Sequence, residues 1–385
     1  MPDDGRIPRR ALLAGAAAVG AGALAAGLTA CGSPTPADDA SASDDARASD
    51  GAHTQVGAAH QPGVVTAPPD HALLAAYDVR ATDLAGLTAV FRRLTEAVRA
   101  ASAEVTVAVG DSLFDRRFGL AARKPRRLTT MPSFPSDVLD PASCHGDLLI
   151  QVCGGAPPQP LADRDLTLRW QIAGFRAENT VTANGRPSTR NLFGFREGAG
   201  NPDPRDDAEM NRLVWVGPDS GEPSWTVGGS YQVVRIIRFA TELWDADPIP
   251  QQEAVFGRRK TDGAPLGKDR EDADLDYAAD PTGQLVALDA HIRLANPRTP
   301  ETEANRILRR GYSYRRARDA AGHPDEGLLF VCFQQDLERG FATVQRRLAG
   351  QPLDRYVLTT GGGYYFALPG AAGTNDRGQG LVEPS

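Results

Sequence analysis

LLFVCFQ (Leu328–Gln334) echoes LLIQVC (Leu148–Cys153), and this echo decides the fold. Both are short apolar runs of strand length, the pattern of strands covered on two faces. Around the earlier run, HALLAAYDVRA (His71–Ala81) reads as a strand. A helix follows, with Leu84, Leu87, Phe91, Leu94 and Val98 on one stripe. Thr82 or Asp83 can cap its start. Val105, Val107 and Val109 then alternate as a second strand. Around the later run, YQVVRIIRF (Tyr231–Phe239) is a β-branched, alternating strand followed by a helical stretch, Leu243–Arg258. DLERGFATVQRRL (Asp336–Leu348) carries Leu337, Phe341, Val344 and Leu348 on one helical face, and GGGYYFALPG (Gly361–Gly370) closes with a strand.

Two halves with the same strand and helix succession predict an α+β sandwich built from a duplicated pair of ferredoxin-like units. No GxGxxG follows a strand and no P-loop occurs, so this pair explains the pattern better than a Rossmann fold. The expected boundaries are a signal over 1–31, a tether over 32–60, a first ferredoxin-like domain over 61–220 and a second over 221–385. A chain of 385 residues suits two domains.

The net charge of −7 argues against a nucleic-acid partner. The basic residues are almost all Arg; the lysines are Lys124, Lys260 and Lys268. Four cysteines, Cys31, Cys144, Cys153 and Cys332, show no CxxC spacing, which disfavours structural zinc. The stretch Thr261–Asp280, with six Asp and one Glu, reads as a solvated loop whose spacing does not match an EF-hand.

Arg9-Arg10 precedes an uncharged Ala/Gly/Leu run, Ala11 to Ala30, the pattern of a twin-arginine export signal. The run is long enough to span a bilayer, but its Ala/Gly composition holds poorly in lipid. LTACG (Leu28–Gly32) resembles a lipoprotein cleavage box, which predicts a lipidated Cys31 anchored at the outer face of the cell membrane. The twin-arginine route carries folded proteins, often with a cofactor inside. Residues 33–60 are rich in Ala, Ser, Asp and Pro and read as a flexible tether, with His53 and His60 solvated.

The chemistry concentrates in ALDAHIRLANPRTPETEANRILRRGYSYR (residues 287–315) and NLFGFREGAGNP (Asn191–Pro202). His291 is one of six histidines. A lone histidine is more often a packed or surface residue; here Arg293 and Arg298 lie close in sequence. Haem iron takes a neutral imidazole, and haem propionates take cationic partners. Glu197 sits among Gly194, Gly198 and Gly200, which suggest tight backbone packing against a flat ligand. Peroxide cleavage needs a proton shuttle and a fixed cation, roles open to Glu197 and one of Arg309 and Arg310.

These segments resemble the dye-decolourising peroxidases. GFREGAGNP is similar to that family's GxxDG motif. HIRLANPR and ILRRGYSY are similar to its proximal-histidine and distal-arginine segments, and CHGDLLIQVC, KTDGAPLG and GGGYYFALPG also match. The resemblance runs from about Gln61 to Pro369 and points to the exported branch that includes deferrochelatase/peroxidases. It implies a haem b enzyme with the haem held mainly by the second ferredoxin-like domain. It assigns His291 as axial ligand of the iron, Arg309 as distal arginine with Arg310 as fallback, and Asp354 as the carboxylate behind the histidine. Asn201, Arg293 and Arg298 are its further cofactor-side candidates. The chain departs from the family at Glu197, where Asp is usual; the two acids have similar reference pKa values, about 4.3 and 3.9.

The implied activity is reduction of hydrogen peroxide coupled to oxidation of dyes, phenols or other aromatic one-electron reductants through a ferryl intermediate. Bulky donors suggest an electron relay, for which Trp215, Trp225, Trp244, Tyr312, Tyr314, Tyr364 and Tyr365 are available, core packing being the plainer role of each. A haem-handling lipoprotein that releases haem iron is the alternative, and a non-catalytic haem carrier a third. Sheet-rich members of the family often associate, which suggests a homo-oligomer. His145 is a second haem-side candidate or else a hydrogen-bonding residue leading its strand.

Overall fold

The computed structural model describes residues 59–154, 163–182, 185–319, 321–371 and 375–383. The export signal, Cys31, His53 and all but the last residues of the tether fall outside these. Each half contributes four strands to the large sheet: β1 (His71–Val79), β2 (Glu104–Gly110), β3 (Leu148–Gly154) and β4 (Leu166–Phe175) from the first, then β5 (Ser230–Phe239), β6 (Tyr312–Arg315), β7 (Glu326–Gln334) and β8 (Val357–Ala367) from the second. Their neighbours run β4–β1–β3–β2 and β8–β5–β7–β6, so both halves place their strands in the spatial order fourth, first, third, second. That shared order is the duplicated ferredoxin-like pattern read from the sequence.

The halves join into one antiparallel sheet, with Tyr365 of β8 opposite Gly110 of β2. On the other side Ser313 of β6 lies opposite Phe175 of β4. With β6 also paired to β7, the sheet closes on itself. The expected pair of ferredoxin-like units is therefore joined into one closed sheet with helices outside. A two-residue strand, Leu308–Arg309, adds to the far side of β7.

Alternation then sorts the side chains into two cores. Ala72, Leu74, Leu149, Ile172, Val234, Ile236, Tyr312, Tyr314, Leu329, Phe333 and Tyr365 form one core, drawn from both halves and filling the barrel. The polar pair Gln151 and Gln232 lies within, hydrogen-bonded at 3.1 Å. The other parity faces outward. In the first half it is covered by α1 (Leu84–Ala100), whose Leu87, Val90, Phe91, Leu94 and Val98 pack on Val105, Val107, Ile150 and Val152. The Asp83 carboxylate accepts from Gly86 N–H and caps α1; Leu84, expected on the apolar stripe, is exposed.

The helical stretch around Leu243–Arg258 is interrupted at Pro248, which has no N–H to continue the ladder. It becomes Thr241–Asp245 and Ile249–Phe256. The helix over Asp336–Leu348 opens with a π turn, Glu338–Ala342, before its regular part, Thr343–Leu348. His60 is not solvated as expected. Its ring stacks on Trp215 at 3.9 Å and its Nδ1 bonds Gly228 O at 2.8 Å, so packed structure begins with it. Trp244, Tyr312, Tyr314, Tyr364 and Tyr365 are buried, as is most of Trp215, so their place is in the core; Trp225 packs against it. Cys144, Cys153 and Cys332 are free, buried thiols.

Candidate active site

Part of the outward face of the second half, Tyr231, Val233 and Tyr364, clusters with Leu337 and Phe341. Arg235 and Ile237 of β5, Leu328 and Phe330 of β7, and Val357 and Thr359 of β8 instead form one wall of a cavity of about 290 Å³. Opposite them stand α2 (His291–Ala295), α3 (Thr343–Leu348) and the Asn191–Pro202 segment.

That segment is anchored by its aromatics. Phe193 stacks on Phe239 at 3.9 Å and Phe195 on Phe256 at 4.2 Å, within a cluster around Trp244. Asn191 sets the turn: its Oδ1 accepts from the N–H groups of Phe193 and Phe195, while its Nδ2 donates to Glu197 Oε1 at 3.0 Å. Gly198 has φ +109°, and a Cβ there would collide with Pro187 O, so the chain passes this point only as glycine. Glu197 thus faces the cavity from a fixed backbone. Burial raises its pKa, against the pull of the Asn191 hydrogen bond and of the Arg309 and Arg176 charges. Gly311 stands beside this carboxylate: a Cβ there would lie 3.3 Å from Glu197 Oε2.

Arg309 and Arg310 both line the cavity, from opposite strand parities and with different partners. Arg310 shares the inward parity of Leu308, Tyr312 and Tyr314; its side chain is buried, donates to Thr66 O and lies 3.6 Å from Glu104 Oε2. Arg309 has the opposite parity. Asn201 Oδ1 accepts from Arg309 Nε at 3.1 Å and from its backbone N–H at 3.2 Å, and Asn201 Nδ2 donates to Arg309 O at 2.8 Å. Arg309 Nη2 donates to Ala199 O at 2.5 Å. Asn201, expected on the cofactor side, therefore lines the cavity while clamping Arg309. Burial lowers the Arg309 pKa, offset by the Glu197 charge.

His291 begins α2 and lies against Phe256, ring centroids 5.8 Å apart. Its Nδ1 is 2.8 Å from Gln351 Oε1, and no group among the described residues bonds its Nε2. Burial lowers its pKa, favouring the neutral imidazole. Asp354, expected behind this histidine, is one link further away, since Gln351 Nε2 donates to Asp354 Oδ1 at 3.3 Å.

Arg298 lines the cavity with left-handed backbone (φ +61°), and its buried Nε has no partner among the described groups. Arg293 does not line the cavity. Its guanidinium turns to the far side of α2, donating to Val286 O and Asp280 O at 2.8 Å and lying over Tyr277. It fastens the 277–286 segment and, contrary to expectation, does not point to the cofactor side. His145 also stands outside the lining; its carbonyl accepts from Trp170 Nε1 and Tyr365 Oη, the structural role of a strand-leading residue.

Sequence reasoning missed Gln351, Asn191, Arg176 and Arg258. Arg258 lines the cavity with a pKa pushed down to about 10 by burial and then by Arg309. Asn191, at the head of a Gly/Phe turn, was the one with a local signal.

Family models named Dyp-type peroxidase match this chain over residues 61–157 (N-terminal) and 188–372 (C-terminal). The chain belongs to the Dyp-type peroxidase family. It is 44% identical to the deferrochelatase of Escherichia coli (strain K12), over 82% of this chain and 83% of that one. Ferric DtpA from Streptomyces lividans superposes with a TM-score of 0.76 at 33% identity, covering 85% of this chain and 96% of the other. A DyP-type peroxidase from Cellulomonas bogoriensis superposes with a TM-score of 0.75 at 32% identity, covering 85% and 97%. Dyp-type peroxidases bind haem, and this chain is a haem-dependent peroxidase. The site fits that group: an imidazole nitrogen open to an apolar-walled cavity and a buried, unpartnered guanidinium nitrogen at its edge meet the needs of iron and propionate.

Proposed function

We propose that His291 would hold haem b through its iron, that Arg298 would meet a propionate, and that Glu197 and Arg309 activate hydrogen peroxide. One observation carries the reading: an open imidazole nitrogen, a buried carboxylate and a clamped guanidinium all line one cavity. Haem, when bound, supplies the iron that accepts peroxide and stores its two oxidising equivalents. Glu197 takes the proton from the near peroxide oxygen and delivers it to the far one, converting the leaving group to water. Arg309 stabilises the charge that develops as the O–O bond breaks, without having to move, because Asn201 and Ala199 already hold it. Aromatic one-electron donors such as phenols and dyes would be the reducing substrates. The test is an absorption spectrum before and after stoichiometric peroxide, with dye turnover. A haem band abolished in His291→Ala, and a turnover abolished in Glu197→Gln with the band intact, are expected. A full haem band in His291→Ala would overturn the ligand assignment.

The similarity to curated deferrochelatases favours a second reading, release of haem iron in iron acquisition. Recovery of intact metal-free porphyrin after incubation with haem would select it; oxidised donor with haem retained selects the first. Export by the twin-arginine route and anchoring through lipidated Cys31 belong to the same proposal, supported by Arg9-Arg10 and the Leu28–Gly32 box. The mass of the mature N-terminus tests both. Self-association rests on the family resemblance, and sedimentation of the haem-loaded protein tests it.

A further inference from the structure

Behind His291 stands a chain of three side chains whose hydrogen-bonding chemistry leaves one arrangement. Asp354 can only accept. Its Oδ2 takes the backbone N–H of Gly350 at 2.8 Å and its Oδ1 takes the Gln351 amide at 3.3 Å. The donor end of Gln351 is therefore turned to Asp354 and its carbonyl end to His291. Facing a carbonyl oxygen at 2.8 Å, His291 Nδ1 must carry the proton, which leaves Nε2 as the lone pair aimed into the cavity. Gln351 is 9% exposed, and the backbone bonds Gln351 N–H to Leu348 O and Asp354 N–H to Gln351 O hold the turn.

We infer that Gln351, oriented by Asp354, is the positioning residue that fixes the axial tautomer of His291 and, because it is neutral, keeps that ligand a weaker electron donor than a carboxylate partner would. The inference rests on His291 as the iron ligand. A carboxylate on the second nitrogen raises the basicity of a ligating imidazole. An amide oxygen carries only a partial charge, so it orients the ring with less of that effect. A less basic ligand stabilises ferric iron less and sets the ferric/ferrous couple higher. Asp354 acts at one remove, on the direction of the amide, and its charge stays outside the direct bond to the ring.

The test is spectroelectrochemistry and resonance Raman spectroscopy of the haem-loaded protein. In Gln351→Glu, the reduction potential is expected to fall and the iron–histidine stretch of the ferrous form to rise. In Asp354→Asn, Gln351 loses its acceptor-only neighbour, so the amide reverses in part of the population and the stretch broadens or splits. In Gln351→Ala, haem affinity is expected to fall by about 10- to 100-fold. An unchanged potential and stretch in Gln351→Glu with the haem band intact would overturn the inference. Should that variant not fold, an unbroadened stretch in Asp354→Asn does the same. Haem still bound through an unaltered iron–histidine stretch in His291→Ala would instead overturn the ligand assignment beneath it.

Discussion

Replacing Glu197 by Gln isolates the proton shuttle. The two side chains have the same shape, and Asn191 Nδ2 donates to Oε1 at 3.0 Å, so the new amide turns its carbonyl to Asn191 and its NH₂ towards the cavity. A donor then stands where peroxide needs an acceptor. General acid–base catalysis is worth roughly 10²- to 10⁴-fold, or about 3–5 kcal/mol of barrier at 1.36 kcal/mol per decade. The rate constant for reaction of the ferric protein with peroxide, followed by stopped-flow absorbance, should fall by that factor. Haem content should stay as in the wild type, because the iron-side groups His291 and Gln351 are not touched. A rate within about threefold of wild type, with haem content preserved, would refute Glu197 as the shuttle. A rate restored by raising the buffer concentration would show a solvent-borne base replacing the lost carboxylate, in keeping with the assignment.

The same group sets a pH dependence: since burial raises its pKa, the acid limb of the peroxide step should lie above the ordinary carboxylate range and vanish in Glu197→Gln. Sign follows for stability as well, because a raised folded pKa gives a contribution present below the unfolded pKa, about 4.3, and lost as pH rises through the folded value. Denaturant melts of wild type relative to Glu197→Gln should therefore lose ground over that interval, and a constant difference would contradict it. Asn201→Ala removes the acceptor of Arg309 Nε and should cost on the order of a hundredfold in the peroxide step through misplacement of the guanidinium; unchanged stopped-flow rates would count against the clamp. Arg310→Leu removes the buried guanidinium that donates to Thr66 O and lies 3.6 Å from Glu104 Oε2, and should cost about 1–3 kcal/mol in denaturant melts while the peroxide step survives in the folded fraction. Arg293→Gln should lower stability by about 1–3 kcal/mol through the lost bonds to the 277–286 segment, with haem stoichiometry by absorbance unaltered.

Much of this was legible in the sequence because local pattern and local structure coincide. The alternation of Val105, Val107 and Val109 and the stripe from Leu87 to Val98 require no partner to be read. His291 and the Glu197 turn were legible as motifs, each confined to one short segment. The different partners of Arg309 and Arg310 needed the structure, because adjacent residues differ only in which side of a sheet they meet. Arg293 looked equivalent to Arg298 in sequence, yet the short α2 sends it away from the cavity to Asp280. Gln351 was illegible: it is sixty residues from its histidine, and nothing local marks an amide as the ring's partner. Barrel closure was hidden too, since the Ser313–Phe175 seam depends on the accumulated twist of two separate sheets.

That seam and its opposite, Tyr365 against Gly110, have a consequence for how the halves depend on one another. Separated, each four-stranded unit would bare both outer strands, β4 and β2 in the first, β8 and β6 in the second, with open backbone donors and acceptors and half of a shared interior. Such edges recruit other chains indiscriminately. In the intact molecule each copy of the repeat is the other's safeguard against aggregation. A chain nicked between Phe175 and Ser230 should therefore keep its fragments associated, and either fragment made alone should be insoluble until its counterpart is supplied.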